Sequence, residues 1–203
     1  MPSTIQAEDI ASHPEFRRLH AIEAVRVDLR YASRENFVGR DLYSPLDCAW
    51  LHRDAALALE ASARSLAGLR PDLRLLVIDA LRPQRVQEAL WKHLEGTGLQ
   101  SYIANPERGS IHSFGMAVDV TLVDARGHEL DMGTPFDDMT PRSHPALEEG
   151  YARTGEITAT QVANRQVLRE AMRQGGWVGI STEWWHFDCG DRLRVRAEYA
   201  RIL

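Results

Sequence analysis

An aspartate stands inside what is otherwise an apolar strand. In Ala117-Val118-Asp119-Val120-Thr121-Leu122, the residues Val118, Val120 and Leu122 share one face, while Ala117, Asp119 and Thr121 share the other. A carboxylate on the inward side of a strand is costly unless it is paired or binds a metal. Any fold of this chain must therefore bury the strand and supply Asp119 with a partner. Seven positions earlier, at the mouth of the strand, lies His112, within Ser110-Ile111-His112-Ser113-Phe114-Gly115. Gly115 lacks a Cβ and lets the chain turn back so that both groups converge.

A second cluster, Glu183-Trp184-Trp185-His186-Phe187-Asp188, encloses a carboxylate and an imidazole between aromatic side chains. Neutral imidazole is the commonest protein ligand of zinc, and two histidines with one carboxylate leave a fourth position open for water. Zinc in such a site lowers the pKa of that water to about 7. A glutamate close by need not be a ligand; it can accept the water's proton and pass it to a leaving amine. The other histidines (His13, His20, His52, His93, His128 and His144) read as ordinary surface or core residues.

Around these clusters the pattern mixes strands and helices without regular βαβ alternation. Strands are predicted at Ala24 to Tyr31, where Val25, Val27, Leu29 and Tyr31 alternate with polar residues, and at Leu73 to Ala80, an apolar run between Pro71 and Pro83. A returning strand is predicted at His128 to Leu130, and two short strands at Trp177 to Ile180 and Trp184 to Asp188. Helices are predicted from His52 to Leu66, stopping at Gly68, from Pro83 to Gly96, and from Thr160 to Gln174. Thr134 to Gly150, with Pro135, Pro141 and Pro145, reads as a long loop, and loops of that length are often functional. The fold class is α+β, one domain over residues 1–203 with a mainly antiparallel sheet packed against helices.

With 203 residues, 44% hydrophobic and 26% charged, the chain is long enough to bury a core. Its formal charge of -5 speaks against nucleic acid as the partner. No segment reaches the roughly 20 apolar residues that cross a membrane. Two cysteines, Cys48 and Cys189, cannot build a disulfide scaffold and fit a reducing compartment. The first residues lack the basic start and apolar stretch of a signal peptide, which predicts a cytoplasmic protein.

Together, Ser-x-His-x-x-Gly-x-x-x-Asp at Ser110 to Asp119 and Glu-x-Trp-His at Glu183 to His186 resemble the zinc D-alanyl-D-alanine dipeptidases and their carboxypeptidase relatives. That family includes the enzymes of vancomycin resistance. The likeness extends from about Ala24 to Asp188: Asp28 to Ala32 with Asn36, Phe37 and Gly39; Asp79 to Arg82 with Pro83 and Arg85; and Met132 through His144. Ala80, Leu81 and Phe114 depart from it, and none is expected to touch a ligand. The resemblance implies a zinc D,D-peptidase fold of the hedgehog-like type, with one Zn²⁺ bound by His112, Asp119 and His186. It implies that Glu183 is the general base and that Arg82 faces the scissile carbonyl, where a fixed guanidinium stabilises developing negative charge. An ion pair with Asp79 or a neighbouring acid is the alternative role for Arg82. Asp137 and Ser110 would hold the substrate's ammonium end or nearby polar groups, and Tyr31 would line the pocket. The partner implied is a small dipeptide, D-alanyl-D-alanine or a close D,D relative. Two other functions stay open at this level: a D,D-carboxypeptidase acting on longer cell-wall peptides, and a non-catalytic zinc module on the same scaffold.

Overall fold

The strand through Asp119 lies in the middle of the main sheet of the computed structural model, which describes residues 3–203. In chain order the elements are β1 (Thr4–Ile5), β2 (Phe16–Arg18), β3 (Val25–Val27), β4 (Trp50–His52), α1 (Arg53–Leu69), β5 (Leu73–Asp79) and α2 (Gln84–His93). They continue with β6 (Ala117–Asp124), α3 (Glu148–Thr154), α4 (Ala159–Gln174), β7 (Trp177–Gly179), β8 (His186–Cys189), α5 (Arg192–Glu198) and β9 (Arg201–Ile202). The main sheet has the order β3-β5-β6-β8-β7. Its β3–β5 pair is parallel and its other three pairs are antiparallel, in line with the α+β expectation. Small two-stranded sheets join β1 to β9 in parallel and β2 to β4 antiparallel. Among the described residues no helix is long and apolar enough to cross a membrane.

Helices α1 and α4 pack on each other and on the sheet. Their approach depends on Gly175 at the end of α4, where a Cβ would lie 2.1 Å from Ser62 Oγ and 2.5 Å from the Ala58 carbonyl oxygen. On the sheet's other face Thr121, which shares the side of Asp119, borders a small cavity with Thr134, Phe136 and Trp184. Loop residues thus cover part of the Asp119 face, and that is where a cleft can open.

Several boundaries differ from the sequence expectation. The first sheet strand ends at Val27, and the chain turns through a 3₁₀ segment at Arg30–Ala32 that buries Tyr31 completely. Helix α1 runs past Gly68, whose surroundings are open, and stops where Pro71 disfavours helical backbone at Arg70. The expected returning strand at His128 to Leu130 is a single bridge between Val123 and Glu129, its turn organised by Asp124 accepting from the Arg126 and His128 amides. The expected long loop holds 3₁₀ turns at Pro141–Ser143 and Pro145–Leu147 and then α3. Helix α3 has little apolar periodicity to announce it. Its buried first residue, Glu148, is held by Arg169 on α4, a tertiary contact invisible in local sequence.

Candidate active site

Adjacent strands carry the polar groups in a row. Asp79 on β5 pairs in register with Asp119 on β6, and Asp119 pairs with His186 on β8. Because side chains two apart on a strand share a face, Asp188 lies on the same side as His186. Three carboxylates and an imidazole thus line one face of three neighbouring strands. His112 joins them from the 3₁₀ turn Ile111–Phe114, which ends at Gly115 with a left-handed φ of 63°. A Cβ on Gly115 would come within 2.8 Å of the His52 amide nitrogen and of Phe16 Cε1. Glycine is thus required by both backbone conformation and space, as the sequence pattern implied.

His112, Asp119 and His186 offer one ligand atom each, all within 4.8 Å of one another. His112 Nε2 is 3.1 Å from His186 Nδ1 and 3.4 Å from Asp119 Oδ1, and His186 Nδ1 is 3.0 Å from that same oxygen. In a tetrahedral zinc site with bonds of about 2.0–2.1 Å, neighbouring ligand atoms stand about 3.3 Å apart, so this triangle fits. The remaining atom of each ligand is already occupied. His112 Nδ1 donates to the Ala80 carbonyl at 2.8 Å, His186 Nε2 faces Asp188 Oδ1 at 2.9 Å, and Asp119 Oδ2 accepts from Arg82 at 3.2 Å. Such outer partners set which nitrogen lone pair points inward. Two inward nitrogens at 3.1 Å repel unless positive charge lies between them. Burial alone would lower the His186 pKa, but Asp188 and Asp119 override it and hold the ring well above its ordinary value. The site draws in a cation, whether a proton on His186 or a metal ion in its place.

Ala80 was expected to touch no ligand. It does so through its backbone carbonyl, a contact any residue type can make, which is why the departure at this position is harmless. Leu81 is buried in the cluster formed by the N-terminal segment and β9, and Phe114 is covered by the Arg201 guanidinium, 5.4 Å from its ring centroid.

Arg82 forms the ion pair considered for it. Its Nε and Nη2 donate to Asp79 Oδ2 at 2.8 and 2.6 Å, Nη1 donates to Gln87 Oε1 at 3.1 Å, and Nη2 also reaches Asp119. The guanidinium is therefore fixed as well as charged, and it still borders the cleft beside the triad. Asp79 is completely buried and also accepts from the Tyr43 hydroxyl.

Glu183 lies in the loop between β7 and β8 and borders the same cleft. Burial raises its carboxyl from the ordinary range to about 7, and the negative charge of Asp119 adds to the effect while His186 opposes it. A carboxyl poised near neutrality suits proton transfer in both directions. Asp137 is the one non-glycine residue among those described with a left-handed φ, at 61°. Such strain concentrates at functional sites. Burial, then the charge of Asp119, pushes its carboxyl well above the usual carboxylate range, and the Tyr31 hydroxyl donates to its Oδ2 at 3.0 Å. Tyr31 in turn lies under Arg82, 5.1 Å from ring centre to guanidinium carbon.

All eight residues singled out in the sequence (Tyr31, Arg82, Ser110, His112, Asp119, Asp137, Glu183 and His186) line one cleft of about 470 Å³. Residue-level reasoning assigned no role to Asp188, Tyr43 or Gln87. Asp188 was findable, since it lies two positions from His186 in a strand pattern. Tyr43 and Gln87 carry no such signal. His144, in the central loop, does not border the cleft; its Nε2 meets the Tyr102 hydroxyl at 2.9 Å.

A buried His-Asp-His triad, a carboxyl poised near neutral pH and a fixed guanidinium around an open cleft define the class: a metal-binding hydrolase. A family model described as D-ala-D-ala dipeptidase matches residues 16–202, and the chain belongs to that peptidase family. It is 39% identical over 166 residues to the D-alanyl-D-alanine dipeptidase of Escherichia coli, covering 81% of this chain and 78% of that one. Identity to the D-alanyl-D-alanine dipeptidase of Enterococcus faecium is 31% over 190 residues, covering 82% of this chain and 86% of that one. The corresponding enzyme of Synechocystis is 29% identical over 165 residues. The family match extends past the 24–188 stretch that carries the motifs, taking in β2 and β9.

Proposed function

We propose that this protein hydrolyses D-alanyl-D-alanine, or a closely related D,D-dipeptide, to free amino acids, with one Zn²⁺ held by His112 Nε2, Asp119 Oδ1 and His186 Nδ1. The observation that carries it is the convergence of the triad, Glu183, Arg82 and Asp137 on a single cleft. Zinc bound there would supply Lewis acidity and a water acidic enough to act as nucleophile near neutral pH. Glu183 accepts the proton of the attacking water and delivers it to the nitrogen of the leaving residue. Arg82, held by Asp79 and Gln87, presents positive charge to the oxygen of the carbonyl as it becomes negative. Because its anchors hold it before substrate arrives, no reorganisation accompanies the reaction. Asp137, backed by Tyr31, holds the substrate's ammonium group, and that charge relieves a carboxylate otherwise disfavoured by burial and by Asp119. Ser110, at the edge of the same cleft, contacts the polar backbone of the substrate. A free N-terminus thereby selects a dipeptide over the interior of a long chain.

A reducing, cytoplasmic location accords with two free thiols, Cys48 buried and Cys189 half-buried. The test of function is a panel of D,D, L,D and L,L dipeptides, together with N-acetyl-D-Ala-D-Ala, offered to zinc-loaded protein and followed by amino-acid release. Release from the D,D-dipeptide, with the acetylated form resistant, is the expected result. Equal cleavage of both would make it a carboxypeptidase, and no cleavage of any member a binding module.

A further inference from the structure

The chain of contacts through the site runs from Asp137 by way of Tyr31, Arg82, Asp119, His186 and Asp188 to Arg192. It begins on a carboxylate and ends on a guanidinium, with the metal triad between them. Arg192 does not stand alone: Arg108 and Arg196 border the same cleft. Arg192 and Arg196 lie one helical turn apart on α5, where like charges repel. Arg108 enters from the turn before Ser110.

Of these three positive charges, only one has a carboxylate partner among the described residues. Arg192 pairs with Asp188, whose other oxygen already faces His186. Among the described residues neither Arg108 nor Arg196 forms an ion pair. The Arg196 guanidinium meets only the backbone carbonyls of Gly109 and Arg192, at 3.1 and 3.4 Å. It is half-buried, and burial followed by repulsion from Arg108 and Arg192 weakens its hold on its proton. Guanidinium groups gathered at one side of a cleft attract an anion, and the planar guanidinium fork matches a carboxylate in shape as well as charge.

We propose that Arg108, Arg192 and Arg196 form the subsite for the substrate's terminal carboxylate, so that the cleft grips a zwitterionic dipeptide at both ends. This rests on the proposed dipeptidase function. The leaving residue of a dipeptide is a single amino acid, with its carboxylate one residue beyond the scissile carbonyl, about 3.8 Å between Cα atoms. Extending the peptide at its carboxyl end, or amidating it, removes the anion and leaves the arginines unpaired.

The experiment compares D-Ala-D-Ala with its C-terminal amide on zinc-loaded wild type, Arg108→Gln, Arg196→Gln and the double variant, with Arg108→Lys and Arg196→Lys as charge-conserving controls. Metal content is measured in each. The wild type is expected to favour the free acid. Each glutamine variant is expected to raise KM for the acid about tenfold, the loss of one charge-assisted hydrogen bond, and to narrow the acid-to-amide ratio of kcat/KM by a similar factor, while metal content stays as in wild type. The lysine variants recover most of the loss. An acid-to-amide preference unchanged in a double variant that still holds its metal and still cleaves the amide would overturn the subsite alone. A wild type that cleaves no dipeptide at all would overturn the dipeptidase function, and the subsite with it.

Discussion

His186 and Asp188 stand two residues apart on β8, and Nε2 of the first meets Oδ1 of the second at 2.9 Å, which turns the histidine's Nδ1 toward Asp119. The carboxylate thereby fixes both the ring orientation and the atom available to a metal. Asp188→Asn keeps the shape and removes the charge. Metal affinity, measured by competition with a chromogenic chelator, is expected to fall about 10- to 100-fold. His112→Ala, which removes a ligand outright, is expected to lose the metal.

Arg82→Ala tests a guanidinium with two duties. Loss of charge stabilisation at the carbonyl is expected to slow turnover by about 10²- to 10³-fold. Asp79, completely buried, also loses its ion-pair partner, and stranded buried charges of this kind cost about 3–5 kcal/mol. Denaturant unfolding should reveal that second loss. A variant that is slow but as stable as wild type would show that Tyr43 alone can satisfy Asp79.

The pH dependence follows from Glu183, which must be ionised to accept a proton. With its carboxyl raised to about 7, kcat/KM is expected to rise with pH and level off near or below neutrality, a cation in the triad favouring the charged form and drawing the limb downward. Glu183→Gln is expected to lose the limb and about 10²- to 10⁴-fold in rate. The same raised value means that folding favours the protonated carboxyl. In metal-free protein, Glu183 therefore detracts from stability increasingly as pH rises from about its ordinary 4.5 through 7, and the glutamine variant is expected to be the more stable form above that range.

Asp137→Asn separates charge from strain, because asparagine also tolerates the left-handed backbone found at this position. KM for D-Ala-D-Ala is expected to rise about tenfold or more, the scale of a lost charge-assisted pair. N-acetylated substrate should be indifferent to the change. Since burial and Asp119 hold the carboxyl above its ordinary range, its charged form opposes folding at neutral pH, and thermal melting of the asparagine variant is expected at or above the wild-type temperature.

Gly115→Ala would force a Cβ into backbone and ring atoms at 2.8 Å in a left-handed turn. A cost of about 2 kcal/mol or more is expected from strain and overpacking together, with weaker metal binding because His112 rides on the same turn. Gly39→Ala, also left-handed but with nothing within 4 Å of its Cβ, is the control: it should show the strain alone, about 1–2 kcal/mol, with metal binding intact.

What the sequence determined by itself was local or periodic. Alternation through Ala117 to Leu122 specifies a strand and puts Asp119 opposite Val118 and Val120; the glycine at position 115 specifies a turn; the apolar run from Leu73 specifies a core strand. Family resemblance, carried by His112, Asp119, Glu183 and His186, named candidate residues that the fold brings to one cleft. The tertiary structure alone decided that Asp79, Asp119 and His186 stand in one row, since strand order and register depend on pairings between distant segments. It also decided that Gln87 joins Asp79 in holding Arg82, that Glu148 at the start of α3 meets Arg169, and that Arg108 borders the same cleft as Arg192 and Arg196. Each of these joins residues far apart in the chain or on separate elements, and the energy of burying a charge beside its partner leaves no mark on the periodicity of either segment.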